Sequence, residues 1–112
     1  MPNGRVATGP LVVTLTGEFD IYNVDALGAL LAPTYEHPDV VVDMSEVRYL
    51  DSTALTVFIR MRKRRMIANF QPARMVGLNP NIRRLFALTR LDVVWPIYET
   101  LDEALASFTV AS

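Results

Sequence analysis

Three consecutive valines, Val40-Val41-Val42, do the most to limit what this chain can become. A strand with one solvated face alternates apolar and polar residues. An unbroken β-branched run ending at Asp43 belongs instead to a strand buried on both faces, and so to the middle of a sheet. Strand and helix signals alternate around it. Leu11 to Thr16 is rich in β-branched residues and stops at Gly17, and a short strand can precede it near Arg5 to Thr8. Asn23 can cap a helix through about Leu31, closed by Pro33, with Ala26, Leu27, Leu30 and Leu31 at core-facing spacing and Asp25 complementing the dipole.

The longest helical pattern runs from about Ser52 to Ala68. Ala54, Leu55, Val57, Phe58, Ile59 and Met61 sweep a wide apolar arc, so its first half is buried. Arg62 and Arg65 project from that same arc and are expected to snorkel or to sit beyond the sheet edge. Ala73 to Leu78 fits a further strand. Asn79-Pro80 supplies an N-cap and a first-turn proline for a helix to about Leu88, with Ile82, Leu85, Phe86 and Thr89 on one face. Val93 to Tyr98 can be a strand only if Pro96 lies at an edge or an end, and Thr100 with Glu103 forms a capping box for a last helix to Phe108. The order predicts an α/β fold with a mostly parallel or mixed sheet of about 4–5 strands and about four helices. At 112 residues the chain has room for one domain, expected to span 1–112, and its side chains show no repeat or linker.

Composition narrows the chemistry. Without cysteine there is no disulfide, thiolate catalysis or Cys-ligated metal, and a single histidine, His37, leaves no two-His relay. A metal site and a cofactor are therefore not expected. No segment approaches the roughly 18 apolar residues of a membrane span, and the N-terminal residues lack a signal-peptide core, so a soluble, cytoplasmic domain is the expectation. Net charge is -1, which offers no global attraction to nucleic acid. The charges are nevertheless segregated: Glu18 to Asp51 is strongly acidic and Arg60 to Arg90 contains no acid at all. Such a chain folds either into a dipole or into a surface on which the two stretches interleave.

In sheets of this kind, sites lie beyond the strand ends that feed helices. Two polar clusters qualify, Gly17-Glu18-Phe19-Asp20 and Tyr49-Leu50-Asp51-Ser52-Thr53. Ser52 falls at a helix N-terminus, where unpaired N–H groups and the positive dipole end favour an added phosphate. The same position suits a plain cap supplied by Asp51, Ser52 or Thr53. Position alone does not decide between them.

The run Val40-Val41-Val42-Asp43-Met44-Ser45-Glu46-Val47-Arg48-Tyr49-Leu50-Asp51-Ser52-Thr53-Ala54-Leu55 resembles the core signature of STAS domains, specifically of the anti-sigma factor antagonists, or anti-anti-sigma factors. Gly17-Glu18-Phe19-Asp20 resembles that family's Gly-Glu-Leu-Asp turn. Leu85 to Leu91 and Ile97 to Leu105 resemble its third-helix segment and its ending, so the likeness covers about residues 8 to 108 in order. The resemblance implies that an anti-sigma factor with ATP-dependent serine kinase activity phosphorylates Ser52. It implies that Asp20 and Asp51 flank that serine and that Thr53 is the adjacent hydroxyl residue. By the same resemblance the unmodified protein binds the anti-sigma factor and releases a sigma factor, phosphorylation ends binding, and a metal-dependent serine phosphatase restores it. Ala54 and Thr56 stand where many members have glycine, and their side chains narrow the room for a docked partner. Partner contacts are thus expected at Asp20, Asp51, Ser52, Thr53, Ala54 and Thr56.

Three other readings compete. Asp20 and Asp51 could serve an enzyme as paired carboxylates, but Ser52 has no neighbouring base other than carboxylates and no glycine loop cradles phosphate, so catalysis is not expected. Arg60 to Arg65 with Arg83 and Arg84 could bind nucleic acid, against which stands their role as a solvated, dipole-complementing helix end. The third keeps the STAS fold as a non-catalytic scaffold or regulatory subunit of a transporter or signalling assembly, with Ser52 only a helix cap.

Overall fold

In the computed structural model, which describes residues 9–108, the sheet grows strand by strand in chain order. β1 (Leu11–Phe19), β2 (Val40–Leu50), β3 (Arg74–Val76) and β4 (Ile97–Tyr98) lie side by side and every neighbouring pair is parallel. Parallel neighbours need a long crossover, and α1 (Val24–Leu31), α2 (Ser52–Ile67) and α3 (Pro80–Leu88) supply the three required. α4 (Leu101–Ala106) follows the last strand. The expected α/β order holds, with four strands, four helices and an all-parallel sheet. The short strand expected at residues 5–8 lies outside the described residues.

The triple valine explains the layering. Val40 and Val42 join Leu27, Phe58 and Phe86 in the main core beneath α1, α2 and α3, whereas Val41 turns to the opposite face against Val76 and Ala104 of α4. All three valines are fully buried, as a central strand requires. Phe58, Phe86 and Trp95 pack as a mutual aromatic cluster with ring centroids 5.8–6.5 Å apart, so Trp95 is a core residue. Asn79 caps α3 through the Ile82 amide at 2.9 Å, and Thr100 with Glu103 forms the expected capping box of α4, which ends at Ala106.

Besides β1, which runs on through Gly17 to Phe19, and β3, shortened to Arg74–Val76, five local readings change. β2 does not stop at Asp43 but continues to Leu50, because two extra residues are absorbed as bulges opposite Thr14–Thr16 and Gly17–Glu18. The Asp43 carboxylate stabilises the first bulge by accepting from Ser45 N–H at 3.0 Å and from Ser45 Oγ at 2.7 Å. Val93 and Val94 leave the strand for a 3₁₀ turn beginning at Leu91, since burial of Trp95 and the missing N–H of Pro96 delay pairing until Ile97. Asn23 precedes α1 without capping it: its side chain points back, donating to Glu18 O at 2.7 Å and accepting from Asp20 N–H at 2.8 Å. Ala26 and Leu30 are exposed on α1, leaving Leu27 and Leu31 as its buried pair.

The fifth concerns Arg65, which neither snorkels nor overhangs the sheet. It is 2% exposed, and its two terminal nitrogens donate to the carbonyls of Thr34, His37, Pro38 and Gln71. One guanidinium thereby ties the loop entering β2 to the loop leaving α2, at the cost of burying a cation whose pKa desolvation lowers.

Candidate functional site

β1 and β2 end in register, with Phe19 opposite Leu50, so the next residue of each, Asp20 and Asp51, emerges at the same edge of the sheet. The Asp51 N–H donates to Phe19 O at 3.1 Å, closing the two strand ends together. The Asp51 carboxylate then turns forward and accepts the Ala54 amide at 2.9 Å, in extended backbone geometry, as the N-cap of α2. That leaves Ser52 as the first helical residue. It is exposed, and its hydroxyl makes no hydrogen bond among the described residues. The cap is Asp51, so the expectation of Ser52 as a mere cap is corrected.

The remaining expected contacts separate by exposure. Asp20 and Asp51 are half-buried, as is Thr53, whose carbonyl accepts from Thr56 Oγ1 at 2.6 Å. Thr56 is exposed one turn along α2 from Ser52. Ala54 is 0% exposed, which removes it from any contact surface: its methyl is part of the core, where glycine would leave a void. Of the two substitutions expected to crowd a docked partner, only Thr56 reaches the surface.

The β1–α1 loop is built rigidly beside these groups. Asp20 Oδ1 accepts the Tyr22 amide at 2.9 Å, the Asn23 side chain clamps both Glu18 and Asp20, and Asn23 N–H returns to Asp20 O at 3.2 Å. Rigidity here presents apolar surface: Ile21 is 61% exposed and Tyr22 93%. Neither stands out in the sequence, because they obey neither strand nor helix periodicity. The available signal was two large apolar residues lying between a turn aspartate and a turn asparagine.

Electrostatically the site is a meeting point. Glu18, Asp20 and Asp51 share this end of the sheet, yet Arg48 reaches Glu18 at 3.6 Å and Arg83 reaches Glu99 at 3.7 Å, both on the surface. Arg48 lies within the acidic stretch and Glu99 beyond the basic one, so neither pair joins the two stretches. No group of three or more metal-ligating side chains occurs among the described residues. No helix among them is long and apolar enough to cross a membrane.

The STAS domain profile matches residues 1–104. The chain belongs to the STAS domain family. Over 81 residues this STAS domain is 33% identical to the anti-sigma-B factor antagonist of Staphylococcus aureus, an alignment covering 70% of this chain and 74% of that protein. An anti-sigma factor antagonist from Mycobacterium paratuberculosis superposes with a TM-score of 0.68 at 30% identity, covering 92% of this chain and 88% of that one. A putative anti-sigma factor antagonist from Thermotoga maritima superposes at 0.80 and 21% identity over 92% and 90% of the two chains, which establishes the shared fold.

Proposed function

We propose that this STAS domain is an anti-sigma factor antagonist controlled by phosphorylation of Ser52. Unmodified, it binds an anti-sigma factor that carries serine kinase activity, and a sigma factor is released for transcription. Transfer of a phosphoryl group to Ser52 ends that binding, and a metal-dependent serine phosphatase restores it. The chain acts in the cytoplasm as a binding partner, and the chemistry is done to it. The anti-sigma factor antagonists among its relatives support the general role.

One observation carries the site assignment: Asp51 takes the capping work of α2, so the exposed Ser52 hydroxyl has no bond to another described residue to give up when it is modified. A phosphate there adds about -1.5 to -2 charge next to Asp51 and at the sheet end that Asp20 shares. Inside a docked interface such a charge is repelled and poorly solvated, which weakens association by about 2–5 kcal/mol, or ~30- to 5000-fold. Ile21 and Tyr22, exposed on a clamped loop, supply the apolar contact that makes the unmodified state bind.

The test is incubation with anti-sigma kinases from the source genome and ATP, followed by mass-spectrometric localisation of a gain of about 80 Da, one phosphoryl group. Modification confined to Ser52 is the expected result. Modification elsewhere, or none with any such kinase, overturns the reading.

A further inference from the structure

At the end of α2 away from Ser52, an α-helical separation of about 20 Å, a cavity of about 450 Å³ opens between the last turns of α2, the loop after it and the segment before β4. Met66, Phe70, Val94 and Trp95 form apolar walls, and Arg62 and Arg65 are the charged residues that line it. The volume falls in the range of small-molecule sites, and the lining has their usual make-up of apolar walls with few polar groups. Its charge is one-sided. No carboxylate lines the cavity, and neither arginine belongs to an ion pair among the described residues.

Arg65 sharpens the point. Among the described residues its terminal nitrogens bond only to neutral carbonyls, and its buried Nε has no hydrogen-bond partner. Asp39 opposes the burial of this cation from a distance, while Arg74 adds like charge. The cavity wall thus holds a desolvated positive charge beside the half-exposed Arg62. A neutral apolar guest would leave that field unanswered, whereas a carboxylate on an apolar chain answers both features, its head at Arg62 and its tail against Phe70 and Trp95.

We infer that this cavity is a binding site for a small monoanionic amphiphile of the medium-chain carboxylate class. It lies apart from the Ser52 face and stands independently of the function proposed for that face. The probes are sodium decanoate and 1-decanol, titrated into the full chain and followed by amide NMR shifts. Decanoate is expected to give saturable shifts at Phe70, Gln71, Ala73, Val94 and Trp95, with decanol binding about tenfold more weakly. Arg62→Gln, at a half-exposed position outside any ion pair among the described residues, is expected to bring decanoate down to the decanol level and to leave decanol unchanged. Val93→Trp, at a rim position 74% exposed, is expected to weaken both. The inference is overturned by equal affinity for decanoate and decanol, by shifts centred elsewhere or absent, or by either variant leaving decanoate affinity unchanged.

Discussion

The Asp51 carboxylate holds the Ala54 amide at 2.9 Å, and in doing so releases Ser52 from the duty its position would otherwise impose. Helix capping and the proposed phosphorylation are therefore assigned to adjacent residues and can be tested apart. Asp51→Ala removes the cap and is expected to cost about 1 kcal/mol, with Asp51→Asn retaining most of it. Ser52→Ala is expected to stay within about 0.5 kcal/mol of the parent. Urea denaturation of the three variants reads this directly. A Ser52→Ala loss as large as that of Asp51→Ala would return the capping role to Ser52.

A buried arginine that bonds four carbonyls is a hub. Arg65→Met keeps much of the volume but strands those acceptors, so a loss of about 3 kcal/mol or more is expected, seen as a lower denaturation midpoint. Its neighbour Arg64 only overlies the Tyr35 ring at 5.2 Å on the surface, and Arg64→Ala is expected to cost about 0.5–1 kcal/mol. Equal effects of the two substitutions would contradict the hub.

Gly77 and Gly28 should respond oppositely to alanine. Gly77 has φ of 73°, and a Cβ there would lie 2.8 Å from Ser45 Cβ in the bulged part of β2, so Gly77→Ala is expected to destabilise by about 1–3 kcal/mol. Gly28 lies inside α1, where a Cβ would first meet Val57 at 4.0 Å; Gly28→Ala is expected to stabilise by about 0.5–1 kcal/mol. Thermal melts of both variants check the signs.

Tyr22 is 93% exposed, and its removal touches no core. Tyr22→Ala is expected to leave the melting temperature unchanged and to lower affinity for the anti-sigma kinase about tenfold or more, measured by calorimetry. Unchanged affinity would place the apolar contact elsewhere.

How far these features could be read beforehand follows from how local they are. The layering was legible because Val40-Val41-Val42 states burial on two faces without reference to any partner strand. The caps at Asn79 and Thr100 were legible for the same reason, each being a rule spanning only a few residues. The fate of Arg65 was not: its acceptors come from residues 34, 37, 38 and 71, which helix periodicity cannot bring into view. The β2 extension depends on bulges matched against β1, a pairing that a polar stretch such as Asp43 to Glu46 conceals. At the site, Ser52 and Asp51 were legible as a pair, but the division of roles between them rests on which of the two side chains accepts the Ala54 amide. Ala54 reads two ways, on the buried arc of α2 by periodicity and on the contact surface by resemblance, and its burial agrees with the periodicity.

The most direct measurement compares the affinity of one anti-sigma kinase for this protein unmodified and phosphorylated on Ser52, with Ser52→Ala and Ser52→Asp alongside. The account predicts tight binding by the unmodified protein and Ser52→Ala, weakened ~30- to 5000-fold by the phosphate and lowered by Ser52→Asp. Equal affinity of the unmodified and phosphorylated forms would contradict it.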